Sequence, residues 1–202
     1  MIFTNFNQDD ILKQLQQMIE ERSFRKTDTP TIPLSSGKMS YFYFNLKEVT
    51  LFPESIAMIG FLVYNKIKEL ELKVSAIGGL TIGADPIAIA TSFVSYIQND
   101  PIKSFIIRKE PKQYGTKRQI EGSVDTGDSV VILDDVVTTG TSTIKAINVA
   151  RDNGLNILAA ITLVDRCEEN GRQNIEATGV RLYSIYNIYD FVDDSYKNKV
   201  NF

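Results

Sequence analysis

Two adjacent carboxylates, Asp134 and Asp135, precede Val136-Val137 and then a run of hydroxyls around one glycine, Thr138-Thr139-Gly140-Thr141-Ser142. The acids follow an apolar run, Val130–Leu133, of the kind that forms a buried strand. The hydroxyls stand where a helix is expected to begin. A helix N-terminus presents free N–H groups and a partial positive charge, which suits a phosphate. The threonine hydroxyls add donors, and Gly140 lets backbone approach an anion closely. Two acids beside an anion cradle repel its ligand unless they face something else. Ribose hydroxyls, or a magnesium ion shared with the ligand, would answer that. The loop Leu133–Ser142 therefore suits a sugar phosphate. It is not a P-loop, because the GxxxxGK[ST] spacing and its lysine are missing. Ordinary helix capping would need one such residue, not a cluster.

The rest of the composition narrows the chemistry. The chain has 202 residues, enough for one domain with a substantial core. Hydrophobic residues at 43% and charged residues at 23% are ordinary for a globular protein. A net charge of -3 gives no global reason to expect nucleic acid or an anionic membrane, so a phosphate site must use local cations and backbone amides. Histidine is absent, which excludes a Ser–His–Asp triad, a Cys–His pair and any His-ligated zinc. Proton transfer would fall to Asp, Glu, Lys or Tyr. The lone cysteine, Cys167, suits a reducing compartment and lacks the basic histidine that a catalytic thiol usually wants. No secretory signal pattern opens the chain, and the apolar stretch around Ile56–Val63 is too short and interrupted to span a bilayer. A cytoplasmic protein is expected.

Several elements must position these residues. Asn7-Gln8-Asp9-Asp10 opens a helix whose Ile11, Leu12, Leu15, Met18 and Ile19 share a face. Thr27–Pro33 reads as a loop and Tyr41–Leu46 as a strand. Pro53 starts a helix carrying Ile56, Ile59, Val63, Ile67 and Leu70. From Val74 onward, strands at Val74–Ile77, Ser104–Ile107, Val130–Leu133, Leu158–Val164 and Val180–Ile185 alternate with helices. Those helices are expected near Ala84–Ile97, Thr141–Asn153 and Asn174–Thr178, with Gly154 capping the second. This rhythm predicts an α/β fold: a mostly parallel central sheet flanked by helices. Ligands then bind beyond the carboxyl ends of the strands, after Ile77, Ile107, Leu133 and Val164.

The run Val130–Ser142 closely resembles the phosphoribosyl pyrophosphate (PRPP) signature of type I phosphoribosyltransferases. Four more segments resemble the orotate phosphoribosyltransferases within that family, in the same order. Leu34–Asn45, with Lys38 and Phe44, looks like their N-terminal segment, and Gly78–Pro86 like their pyrophosphate loop. Arg108–Gly115 is similar to their mobile catalytic loop, and Thr162–Arg166 to the segment whose arginine holds the orotate carboxylate. The resemblance implies transfer of a phosphoribosyl group from PRPP to orotate, giving orotidine 5′-monophosphate and pyrophosphate in UMP biosynthesis. Lys112, Asp134 and Asp135 would carry catalysis. Thr81, Ile82, Gly83, Arg108, Lys109, Lys112, Tyr114 and the stretch Asp134–Ser142 (with Val136, Val137, Thr138, Thr139, Gly140 and Thr141) would hold PRPP. Thr138, Arg166, Lys38 and Phe44 would hold orotate. Mg2+ would come mainly with PRPP, within reach of Asp134 or Asp135. A single domain, 1–202, is implied, with an N-terminal helix and small hood over about 1–50 and the core over about 51–202. A homodimer is implied too, each catalytic loop reaching the neighbour's site.

The residues themselves support these roles. Gly78-Gly79 after a strand would allow amides to turn toward a diphosphate. Arg108, Lys109, Lys112, Lys117 and Arg118 make a basic stretch in a net-acidic chain. Arg166 has the planar fork that grips a carboxylate at two points. Tyr41–Phe44 could be plain strand core or could cover a flat base. Three positions depart from the family pattern: Ser35 and Gly83 stand where relatives often have lysine, and Tyr114 where many have histidine. A purine phosphoribosyltransferase would share the Asp134–Ser142 stretch without needing Arg166. A PRPP-sensing regulator would keep the fold and lose the loop cations.

Overall fold

The computed structural model describes residues 7–33, 37–111 and 119–193. Helix α1 (Gln8–Arg22) begins where the Asn7 side chain accepts a hydrogen bond from the Asp9 amide, and it buries Ile11, Leu15 and Ile19. Two small antiparallel pairs follow: β1 (Phe24–Lys26) with β4 (Phe42–Phe44), and β2 (Ile32–Pro33) with β3 (Met39–Ser40). A one-turn helix, α2 (Lys47–Thr50), leads into α3 (Pro53–Glu69), which Pro53 opens at its first turn. The stretch Thr27–Pro33 is thus not all loop, since its last two residues pair with Met39 and Ser40. The expected strand at Tyr41–Leu46 is shorter, Phe42–Phe44.

The core then alternates: β5 (Ala76–Leu80), α4 (Ala84–Ile97), β6 (Lys103–Ile107), β7 (Ile120–Gly122), β8 (Ser129–Val137), α5 (Thr141–Asp152), β9 (Asn156–Asp165), α6 (Gly171–Glu176) and β10 (Leu182–Asn187), with a 3₁₀ turn at Ile188–Asp190. The six-stranded sheet has the order β10-β9-β8-β5-β6-β7. Every pairing is parallel except that of the edge strand β7 with β6. One buried cluster joins α1, α3, α4 and the N-terminal strands to one face; a second joins α5 and α6 to the other. This is the mostly parallel, helix-flanked sheet that the alternation predicts and that the resemblance to type I phosphoribosyltransferases implies. No helix among the described residues is long and apolar enough to cross a membrane.

Two expectations about the ligand edge change. Gly78 and Gly79 lie inside β5, not after it. They are needed there because a Cβ on Gly78 would run into the Phe105 carbonyl and ring, and one on Gly79 into the Leu133 carbonyl and Ala84. Strand β8 does not stop at Leu133 but continues through Asp134–Val137, so both acids belong to the strand and only Thr138–Gly140 turn. The last helix and strand lie at Gly171–Glu176 and Leu182–Asn187, each displaced by two or three residues from the apolar pattern.

Candidate active site

The sheet order reverses between β5 and β8: β5 passes on to β6 at one side, β8 to β9 at the other. Strands that part in this way open a crevice beyond their carboxyl ends. The turns Thr81–Gly83 and Thr138–Gly140 both leave the sheet there.

Because side chains alternate along a strand, the two acids diverge. Asp134 turns toward α5, where its Oδ2 accepts from Thr143 Oγ1 at 2.7 Å and its Oδ1 from the Asp135 amide at 3.0 Å. Asp135 turns toward α2 and α4. Its Oδ2 lies 3.6 Å from Lys47 Nζ, and its carboxylate presses on Gly83, where a Cβ would sit 2.6 Å from Oδ1. Burial, then the neighbouring Asp135 charge, pushes the Asp134 carboxyl up to about 7. A carboxyl whose folded value exceeds its ordinary 3.8 gains a proton on folding between those limits, so stability declines as pH rises through that interval. Wild-type protein should lose on the order of 2 kcal/mol of unfolding free energy between pH 5 and 8 through this group. Asp134→Asn should flatten that part of the profile, and an unchanged slope in urea unfolding would reject the assignment.

No group of three or more His, Cys, Asp or Glu side chains among the described residues could hold a metal by itself. Because the two acids diverge, they do not form a joint metal cage; either one alone could reach a hard divalent ion shared with ligand oxygens, the way magnesium is commonly held beside phosphates.

The turn is shaped for an anion. Gly140 has φ +78°, and a Cβ there would meet the Gly171 carbonyl at 2.8 Å, so glycine is required. Thr139 and Thr141 hydroxyls are 2.9 Å apart, and the Asn174 side-chain amide donates to the Thr139 carbonyl at 3.0 Å. The exposed Thr141 and Ser142 open α5, whose first amides face outward without helical partners. Val137 is buried and Val136 half-buried beneath this turn. On the other side, Thr81 Oγ1 donates to Asp85 Oδ2 at 2.6 Å, and the Thr81–Ile82 peptide is cis. Thr81 and Asp85 share a cavity of about 660 Å³ with Arg108 and Lys109. Arg108 pairs loosely with Glu121 at 3.6 Å.

Arg166 is only 5% exposed. Its backbone amide donates to the Val137 carbonyl at 3.0 Å, which fixes it at the end of β8. Its Nη2 donates to Ser40 Oγ at 3.0 Å and to the Phe42 carbonyl at 2.9 Å, and pairs with Glu168. Ser40 in turn donates to Glu168 at 2.8 Å. Nε is buried without a hydrogen-bond partner among the described residues. Burial lowers the pKa of the guanidinium, and the Glu168 charge opposes that shift. Asp165, held by Arg172 Nε at 2.9 Å, accepts from the Cys167 amide and braces the next turn, where Cys167, Glu169 and Asn170 all adopt left-handed backbone. Burial pushes the Cys167 thiol up to about 11, so it is a poor nucleophile.

The remaining expected residues are placed as follows. Lys38 pairs with Glu169 at 3.0 Å, so the hood strand β3 is tied to the arginine loop twice, through Lys38 and Ser40. Phe44 does not fit a base-facing role: it is buried with its ring 4.8 Å from Phe24 and 5.3 Å from Phe191, in the cluster that joins the N-terminal strands to the sheet. Lys112, Tyr114 and Ser35 lie outside the described residues, as do Lys117 and Arg118. Lys47 and Glu168 are additions. Lys47 reaches Asp135 only through the fold, Glu168 lies two residues beyond Arg166, and no motif marks either of them.

No protein-family model matches the chain. Orotate phosphoribosyltransferase of Aquifex aeolicus (strain VF5) is 46% identical over 180 residues, which cover 89% of this chain and 97% of that relative. The chain belongs to the orotate phosphoribosyltransferase family. A solved orotate phosphoribosyltransferase of Mycobacterium tuberculosis H37Rv, in complex with Fe(III) dicitrate, matches with a TM-score of 0.76 at 32% identity over 90% of this chain and 98% of that one. The same enzyme in complex with PRPP matches with a TM-score of 0.72 at 28% identity, over 91% and 92%. As an orotate phosphoribosyltransferase, the chain is a pentosyltransferase of pyrimidine biosynthesis.

Proposed function

We propose that the chain moves the 5-phosphoribosyl group from PRPP to orotate with the crevice between β5 and β8. The observation that carries this is the meeting of Asp134–Ser142, Thr81–Gly83 and Arg166 at one sheet edge. The 5′-phosphate sits on the turn Thr138–Ser142 and the first amides of α5. Asp134 and Asp135 receive the ribose hydroxyls, with Val136 and Val137 as the floor. The diphosphate lies along Thr81, Ile82 and Gly83 under Arg108, Lys109, Lys112 and Tyr114. Arg166 grips the orotate carboxylate beside Thr138 and Lys38.

The bond from the ribose C1 to the diphosphate oxygen breaks with its electron pair, N1 of orotate bonds to C1, and the N1 proton passes to the departing diphosphate or to water. Charge grows on the leaving diphosphate as positive character grows on the ribose. Loop cations that strengthen their hold during this step lower the barrier. Mg2+, bound through PRPP and within reach of Asp134 or Asp135, would add charge neutralisation at the same place. The anchored sugar and acceptor gain from proximity, and the diphosphate oxygens released beside N1 can take its proton, so no strong base from the protein is required.

A homodimer completes the reading. Helix α4 turns Ile89, Phe93 and Tyr96 outward, and Phe93 is 61% exposed. With Leu51 and Pro86, Ile89 and Phe93 line an apolar groove of about 480 Å³, and exposed Ile82 at the pyrophosphate turn is near α4's start. A patch of this kind beside a site suits a second copy that lends its Arg108–Gly115 loop. A cytoplasmic location fits the lone cysteine.

The test is a panel of orotate, adenine, guanine, hypoxanthine and uracil with PRPP and Mg2+, read as pyrophosphate release. Release with orotate alone is expected. Release with a purine instead would favour the purine enzyme, and no release with any base would favour a PRPP sensor.

A further inference from the structure

We infer that Lys47, on the hood helix α2, is the cation that receives the diphosphate end of the donor on the hood side of the crevice. This rests on the proposed PRPP reading of the site and adds a residue to it. Three observations bring it there. Lys47 Nζ stands 3.6 Å from Asp135 Oδ2, beyond hydrogen-bond distance, and its side chain is 49% exposed. Such a pair is loosely held and can exchange partners. The Asp135 carboxylate rests against Gly83, so Asp135 neighbours both Lys47 and the end of the Thr81–Gly83 turn. That turn carries no basic side chain, and with Asp135 in place it has no room for one at position 83, since a Cβ there would lie 2.6 Å from Oδ1.

The cations across the crevice stand differently. Arg108 and Lys109 line the cavity beside Thr81 and Asp85, on the side of β6 and β7. A diphosphate lying along Thr81–Gly83 would meet them on one flank and Lys47 on the other. In the free protein Lys47 offsets the Asp135 charge. When ribose hydroxyls occupy Asp135, that carboxylate gains new donors, and the flexible ammonium is released to the phosphate oxygens nearby. A lysine suits this transfer, because its compact charge on a flexible stem needs no fixed planar geometry. Lys47 is therefore a binding residue for the leaving group, carried by the hood and not by the core.

Calorimetric titrations of the full chain with Mg2+ present separate the possibilities, using pyrophosphate and ribose 5-phosphate as probes on wild type, Lys47→Ala and Lys47→Arg. Lys47→Ala should weaken pyrophosphate about tenfold or more while ribose 5-phosphate moves less than about threefold. Lys47→Arg, which keeps the charge, should recover most of the loss. Equal weakening of both probes would mean a structural role, and no weakening of pyrophosphate would mean no contact; either overturns the assignment. If wild type bound neither probe, the PRPP reading would fall and Lys47's role with it.

Discussion

Arg166→Ala should raise the orotate concentration for half-saturation about a hundredfold or more, while the PRPP value shifts far less. The Arg166 backbone amide is held by the Val137 carbonyl, the buried guanidinium is held by Ser40 and the Phe42 carbonyl, and its Nε has no hydrogen-bond partner among the described residues. A carboxylate entering such a site meets a cation already stripped of water, where removing one partner of a hydrogen-bonded pair costs most. The same substitution leaves Glu168, with a side chain only 11% exposed, facing no opposite charge. Breaking a buried pair in that way costs on the order of 3–5 kcal/mol of stability. The double variant Arg166→Ala with Glu168→Gln separates the effects. Its urea midpoint should return toward wild type, while its orotate constant stays as poor as in the single variant. Steady-state kinetics showing unchanged orotate affinity in a folded Arg166→Ala protein would remove the arginine from acceptor recognition.

Lys112→Ala should lower kcat by about a hundredfold or more with the fold intact, because a donor to charge that develops in the transition state is worth that much. Saturation with PRPP should not rescue it, which distinguishes transition-state contact from ground-state binding. Near-normal turnover would end the role. If the loop serves the neighbouring subunit, Lys112→Ala and Asp134→Ala proteins, each inactive alone, should complement on mixing. Random subunit exchange places half of the protein in mixed dimers with one intact site each, so about one quarter of wild-type activity is expected. No recovery after proven exchange would place loop and acids in the same subunit.

The core was legible wherever the chain repeats itself over a long enough stretch. Ile11, Leu15 and Ile19 mark α1, and the apolar runs mark β8 and β9, because burial selects residue type at fixed intervals. The short pairs β1–β4 and β2–β3, and the edge strand β7, have two or three residues each and owe their form to partners elsewhere in the chain. Local patterns cannot carry that information. At the ends of β5 and β8 the signals pointed the wrong way. Gly78-Gly79 look like a turn and Asp134-Asp135 like a loop, yet all four lie in strand, because neighbouring strands press on the glycines and β8 pairs with β9 through the acids. In the site, the acids, the Thr/Gly turn and Arg166 were readable because each lies in a contiguous motif. Lys47 was not, since only the fold brings it to Asp135, and neither was Glu168, which sits two residues after Arg166 but in no motif that marks it. Phe44 erred for a related reason: strand alternation predicts which residues share a face, not which face meets the ligand.

The two glycines within β5 limit how this protein can change over generations. Each is flanked by a neighbouring strand's carbonyl, Phe105 on one side and Leu133 on the other. A single methyl group at either would have to push β5 away from the strands that end in Ile107 and in Val137. The distance between the two halves of the crevice is thus set by atoms that are absent, inside a strand of the sheet. Mutational tolerance should be lowest there, and drift in this lineage is channelled to the hood and the outer helices.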